Sequence, residues 1–357
     1  MDTPLTGRRA HLVIGLLLGL AAATAAPVEA GVDQQSVGTP AEGQLYHGVY
    51  PGGRTGWEDD ITPADLTAYE DAAGAEAAWV YFSNNWFRSR AFPAQKAAWI
   101  TARGAVPFIR LMLRTANPPR LGHPYTLDRI IRGDFDAALT RWGQAAADFG
   151  DPLVVEYGTE VNGEWFGWNG RWNGRSEGPA RFRRAYRHIV RTMDDQGADN
   201  ITWVFHVNGQ GWPRTTWNRF ENYYPGDAWV DWVGLSSYGA LTPADRPGDW
   251  EDFRVALDRV VPRLAAMAPG KPVFVFEFGF TDHNPCGNAA DFADAALDDL
   301  IAGRWPEVRG FSWWNETWEN DDDPTHDTDM RVQTVPDLAE VFQDHLTDPA
   351  ILTSPLP

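Results

Sequence analysis

Two glutamates stand out for their chemistry. Glu277 ends the apolar run VFVFE, and Glu160 lies just past VVEYG, in the turn TEVNGEWFGW. Two carboxyl groups facing one cleft can divide the work of breaking an acetal. One protonates the departing oxygen; the other attacks the anomeric carbon or activates water. This requires unlike environments, so that one carboxyl keeps its proton near neutral pH while the other is ionised. Glu277, behind four apolar residues, sits on a rigid strand. Glu160, in a Gly- and Asn-rich turn, has the reach that an acid needs.

The elements that must hold this pair follow from periodicity. Short apolar runs predict strands at 44–50, 77–82, 106–112, 153–158, 201–206, 232–236, 273–277 and 310–314. Amphipathic stretches predict helices at 63–73, capped by Thr62, and at 135–149, 181–193, 250–267 and 292–301. Near-continuous apolar strands are those covered by helices, and regular alternation makes an α/β fold with a parallel sheet. The first strand leads into Pro51-Gly52-Gly53-Arg54 rather than GxGxxG, which argues against a dinucleotide fold. Eight strands fit a single (β/α)8 TIM barrel over residues 44–348.

In such a barrel, chemistry gathers at the carboxyl ends of the strands. That rule adds Asn208 after the fifth strand, Tyr238 after the sixth, and Trp313 and Trp314 at the end of the eighth. Trp165 flanks the Glu160 turn as a candidate sugar platform, and Asn162 is expected to shape that turn. Trp86 is a candidate for a distal subsite or for loop packing. His47 and His206 either contact sugar hydroxyls or are satisfied wall histidines. Glu156 shares side-chain parity with Glu160 and should point into the barrel. A buried carboxylate needs a partner; Arg110, in PFIRLML, is the candidate, and protonation of Glu156 is the alternative.

Composition narrows the class. The formal charge of −19 over 357 residues argues against a nucleic-acid partner, which needs clustered Lys and Arg. The 18 tryptophans suggest some exposed flat rings, although part of the excess must be core. The lone Cys286 excludes an intramolecular disulfide and a thiolate zinc site. The acidic stretch 319–329 lacks EF-hand spacing, so a solvated loop is expected rather than a calcium site. Arg8 and Arg9 precede an apolar run, 12–26, that falls short of the roughly 20 residues of a spanning helix. Residues 1–30 therefore read as a secretory signal, with no membrane association after its removal. Residues 31–43 read as a polar lead-in outside the fold, and 349–357 as a tail. No metal or cofactor is expected, and the secreted chain is expected to be a monomer.

At EVNGEWFGW the chain resembles glycoside hydrolase family 26, the family of many β-mannanases. The likeness extends to GVYPGG in the first strand, to LDRIIRGDFDAALTRWGQAAADFG, to WVFHVN, to YYPGDAWVDWVGLSSYG and to the EFG strand. It implies that Glu160 is the acid/base and Glu277 the nucleophile of a retaining hydrolase. It further implies that Tyr238 sits near the nucleophile and that Trp314 or Trp313 floors a sugar subsite. Two positions depart from the family pattern. Thr159 stands where His is usual, and Glu156 where Arg is usual. The substrate implied is a polysaccharide, β-1,4-mannan cleaved internally. Thr159 and Glu156 keep β-1,3-xylan, mixed-linkage glucan and exopolysaccharide open, and a barrel that binds carbohydrate without cleaving it is the remaining alternative.

Overall fold

The computed structural model describes residues 36–356; the expected signal segment, 1–30, lies outside them. Eight parallel strands form the barrel: β1 (Leu45–Tyr50), β2 (Trp79–Asn85), β3 (Val106–Met112), β4 (Leu153–Glu156), β5 (Ile201–Asn208), β6 (Trp232–Tyr238), β7 (Val273–Gly279) and β8 (Val308–Trp314). Each pairs with the next. β8 returns to β1 from Tyr46↔Gly310 to Tyr50↔Trp314, which closes the ring. The single (β/α)8 barrel is thus the observed fold.

Helices α1 (Pro63–Ala73), α2 (Ala94–Ala102), α3 (Leu127–Ile131), α4 (Asp136–Phe149), α5 (Gly178–Asp194), α6 (Phe253–Met267), α7 (Ala289–Ile301) and α8 (Pro336–His345) lie between and after the strands. Thr62 caps α1 in a reciprocal capping box with Asp65. Sequence periodicity missed α2, α3 and α8, which are short. After β5 the chain makes only 3-10 turns between Thr216 and Trp229 before β6. The connection from β5 to β6 carries Pro213 and Pro225, and proline interrupts helical hydrogen bonding.

Aromatic rings fill the barrel interior. Trp79 meets Tyr46, Trp232 and Phe274 at centroid distances of 5.8, 6.1 and 5.8 Å, and its indole donates to Ser312 Oγ at 2.6 Å. Gly48 makes room for it, because a Cβ there would lie 2.0 Å from the indole. Above this layer, Phe108 packs on Tyr81 and Phe276, leaving the cleft at the carboxyl ends of the strands. Much of the tryptophan excess therefore belongs to packing. Trp79, Trp142, Trp168, Trp232 and Trp313 are fully buried, and Trp165 and Trp212 are the exposed rings.

Both expected flanking segments take part in the fold. Val37, in the lead-in, is buried, and its N–H donates to Thr202 Oγ1 at 3.3 Å. In the tail, β11 (Ile351–Leu352) pairs parallel with β1, and Leu356 N–H donates to Tyr46 Oη at 2.7 Å. Their short, aperiodic sequences hid this, because a two-residue strand has no period to read. A small hairpin, β9 (Thr317–Trp318) with β10 (Thr328–Asp329), carries the acidic stretch as an exposed loop. Among the described residues, no helix is long and apolar enough to cross a membrane.

Candidate active site

Glu160 lies in a turn that the surrounding chain over-determines. Its φ of 48° is left-handed, unusual for a residue with a side chain. Neighbouring bonds hold it there. Glu160 O accepts from Gly163 N–H at 2.7 Å, Thr159 O accepts from the Trp168 indole at 2.8 Å, and Val161 O accepts from Asn169 Nδ2 at 2.9 Å. Asn162 fastens the turn to β5: it accepts from Asn208 N–H at 2.8 Å and donates to Asn208 O at 2.9 Å. The Glu160 carboxylate then receives the Trp165 indole N–H at 2.6 Å and Asn208 Nδ2 at 2.6 Å.

Glu277 points from β7 into the same cleft, which has a volume of about 830 Å³. Tyr238 Oη donates to its Oε2 at 2.8 Å, Tyr81 Oη lies 3.5 Å from Oε1, and Arg110 Nη2 stands 3.5 Å from Oε1. Burial pushes its carboxyl up to about 7; Arg110 opposes this, and the charge of Glu160 adds to it. The guanidinium of Arg110 lies over Trp314, 5.2 Å from the ring centre.

Beneath the pair lies a buried network. Glu156 faces inward and accepts from Tyr81 Oη, Thr159 Oγ1 and His206 Nδ1, the last at 2.7 Å, with Arg110 Nε at 3.3 Å. Burial alone would push Glu156 up, but His206, Arg110 and the Thr159 hydroxyl hold it below its ordinary value. It is therefore the paired carboxylate of the two alternatives. Burial works against the charged form of His206, yet the neighbouring Glu156 raises its pKa above the ordinary value. Its Nε2 lies 2.8 Å from Ser236 Oγ. Glu156, His206 and Glu277 place donor atoms within 4.8 Å of one another, a spacing that would suit a metal. Arg110 already supplies the cation for both carboxylates, and both His206 nitrogens are engaged. The donor set reads as an ion-pair network.

Of the residues expected at the site, Glu160, Glu277, Tyr238, Trp314, Trp165, Asn208 and Arg110 line one cleft. Thr159, Glu156 and Asn162 support it from behind. Three candidates lie outside the cleft, each taking the non-substrate side of the alternatives left open for it. Trp313 neighbours Trp314 on β8, so it faces the opposite side; its indole donates to Met330 O at 2.7 Å and packs edge-on to Phe278. His47 also faces outward, held between Glu76 O and Tyr69 Oη, and burial lowers it to about 4. Trp86 is core, packed against Tyr125 and Phe135.

Sequence reasoning missed two acids in the cleft wall. Glu58 accepts from Arg110 Nη1 at 2.6 Å and Ser83 Oγ at 2.7 Å. Glu316 accepts from the Trp314 indole at 3.0 Å, and burial with the charge of Glu58 pushes it up to about 8. Glu316 lies two residues past β8, where the strand-end rule had the power to find it. Glu58, in the loop GRTGWEDD, has no sequence signal.

Fold and site together define a (β/α)8 barrel with a paired-carboxylate, aromatic-walled cleft. Residues 124–274 match the model of Glycosyl hydrolase family 26, to which this part of the chain is similar. The match includes Glu160 and ends just before Glu277. The chain is 26% identical over 220 residues to Endoglucanase H of Acetivibrio thermocellus, covering 62% of this chain and 23% of that protein. It is 23% identical over 252 residues to Beta-1,3-xylanase TXYA of Vibrio sp, covering 63% and 50%. It is 27% identical over 234 residues to a Mannan endo-1,4-beta-mannosidase of Bacillus subtilis, covering 60% and 57%. In each case it spans less than two thirds of the relative's length. A family 26 β-mannanase structure from Bacteroides ovatus superposes with a TM-score of 0.61 at 16% identity, covering 87% of this chain and 90% of that one, which is a likeness of fold.

Proposed function

We propose that the protein is a secreted retaining glycoside hydrolase that cuts a β-linked polysaccharide at interior bonds. The carrying observation is that Glu160 and Glu277 line one cleft in unlike surroundings. Glu160 sits at a turn, where an indole and an amide aim it. Glu277 sits on a strand, between a phenol and a guanidinium. A sugar ring resting on Trp314 presents its anomeric carbon to the Glu277 carboxylate. Glu160 protonates the leaving oxygen as the glycosyl–Glu277 ester forms, then takes a proton from the water that releases it. Tyr238 steadies the attacking oxygens, and Arg110 favours their ionised form.

The relatives carry endoglucanase, β-1,3-xylanase and mannanase names, so the backbone is tested on β-1,4-mannan first, beside β-1,3-xylan and mixed-linkage glucan. Reducing-end release from this panel, compared with Glu160→Ala and Glu277→Ala, decides the reading. Cleavage by the parent and at least a hundredfold loss in both variants are expected. Parent-like cleavage by either variant sinks the mechanism, and no cleavage by the parent leaves the carbohydrate-binding alternative. Export rests on the apolar run 12–26; a processed N-terminus on protein recovered from the medium is its check.

A further inference from the structure

A separate cavity, of about 350 Å³, lies between the segment after β5 and helix α6. Four arginines line it: Arg214 and Arg219 from that segment, and Arg259 and Arg263, one turn apart on α6. Among the described residues, no aspartate or glutamate lines it. In a chain with a formal charge of −19, this is a local reversal of sign. Like charges one helical turn apart repel, and two more guanidinium groups across the cavity add to the cost unless an opposite charge sits among them.

Two of the four are already held in place. Arg263 donates from Nε to Glu221 Oε1 at 2.8 Å, and its guanidinium lies 4.2 Å from the centre of the Phe220 ring. Arg259 donates from Nη2 to Gly209 O at 3.0 Å and pairs with Glu251. These contacts fix both forks without using every N–H. The other two have no counter-charge. Among the described residues neither Arg214 nor Arg219 forms a salt bridge, and Arg214 reaches only the neutral Gln210 Oε1, at 3.3 Å. The Thr215 and Thr216 hydroxyls in the same wall are likewise without a hydrogen-bond partner among the described residues. The wall itself is braced: Asn218 Nδ2 donates to Asn162 O at 2.7 Å and to Pro213 O at 3.1 Å, and Tyr223 Oη donates to Asn218 Oδ1 at 2.7 Å.

We propose that this cavity is a binding site for an oxyanion, a carboxylate, sulfate or phosphate group, either free or carried on a sugar. Guanidinium forks present paired N–H donors that match the oxygens of such groups, and free hydroxyls can donate to the oxygens that remain. The volume is at the small end of ligand sites, which suits one ion or one acidic sugar unit. Gly209, Gly211 and Arg214 line both this cavity and the cleft, so an acidic branch on a glycan held in the cleft has a short path to it. The proposal rests on the arginines and does not depend on the cleft being hydrolytic.

The test is calorimetric titration at low ionic strength, where exposed charges are least screened. The probes are sulfate, phosphate and glucuronate, with glucose as the uncharged counterpart of glucuronate. The parent should bind at least one of the anions saturably, one to one, and about tenfold or more tighter than glucose. Sulfate or phosphate bound as tightly as glucuronate identifies a free oxyanion as the ligand; clearly tighter glucuronate identifies an acidic sugar. The double variant Arg214→Gln/Arg219→Gln, at two exposed positions, should lose about tenfold or more in anion affinity. Arg120→Gln/Arg141→Gln removes the same charge from exposed positions outside the cavity wall and should bind like the parent. Absence of saturable anion binding by the parent, parent-like affinity in Arg214→Gln/Arg219→Gln, or equal losses in both double variants overturns the proposal. A failure of the parent to cleave any polysaccharide would sink the hydrolase reading and leave this result standing.

Discussion

Arg110 Nη2 stands 3.5 Å from Glu277 Oε1, while other atoms of the same guanidinium reach Glu58 at 2.6 Å and Glu156 at 3.3 Å. One buried cation thus serves three carboxyl groups from three elements. Its planar fork makes this possible, and a lysine's point charge would not reproduce it.

Arg110→Met should therefore cost more than one salt bridge. Removing one member of a buried ion network typically destabilises by about 3–5 kcal/mol. Glu277 would also lose the charge that opposes its burial, so its pKa should move further up. Denaturant unfolding reads the first effect. The second is an acid limb of the kcat/KM–pH profile displaced to higher pH, and an unmoved limb would contradict it. Arg110→Lys should recover neither in full.

Glu277 itself sets a pH dependence. It must be ionised to attack, so kcat/KM should rise with pH through about 7. Stability runs the other way. A carboxyl raised in the folded state contributes stability that is full below its unfolded pKa of about 4.3 and is lost as pH rises through the folded value. For Glu277 that contribution is on the order of 4 kcal/mol. Glu277→Gln, inactive, should have a higher Tm than the parent at pH 8 and little difference at pH 4, in parallel thermal melts.

Trp165→Phe keeps the ring and removes the N–H that Glu160 accepts at 2.6 Å. Loss of a hydrogen bond to a charged group costs about 1.5–3 kcal/mol, or roughly ten- to a hundredfold in rate. The loss should be large for a sugar leaving group and small for an aryl group that departs without protonation. Equal losses on both would remove Trp165 as the partner that positions the acid.

Gly48→Ala should destabilise without touching the cleft. Its Cβ would meet the Trp79 indole at 2.0 Å inside the aromatic plug. Forcing a methyl group into a packed core costs about 1–3 kcal/mol, and more where the neighbour cannot yield. Urea unfolding is the measurement, with KM of the folded fraction unchanged.

Much of this was legible in sequence. The strand at 106–112 and the helix at 63–73 appear with those bounds, because apolar periodicity follows directly from one buried face. Parity along a strand placed Glu156 inward and brought Arg110 to it. The same parity, applied to the last two residues of β8, separates Trp314 from Trp313, and on β1 it turns His47 away from the cleft.

The sequence by itself determined the alternation of strands and helices, the inward carboxylates and the family motif. These are local or periodic properties, readable within a few residues. Only the tertiary structure decided which cation serves which acid, that Glu58 and Glu316 join the cleft wall, and that Trp86 is core while Trp212 is exposed. Those are contacts between residues distant in the chain, such as Arg110 with Glu58 and Glu277. Barrel closure sets their distances, and no period in the sequence encodes them.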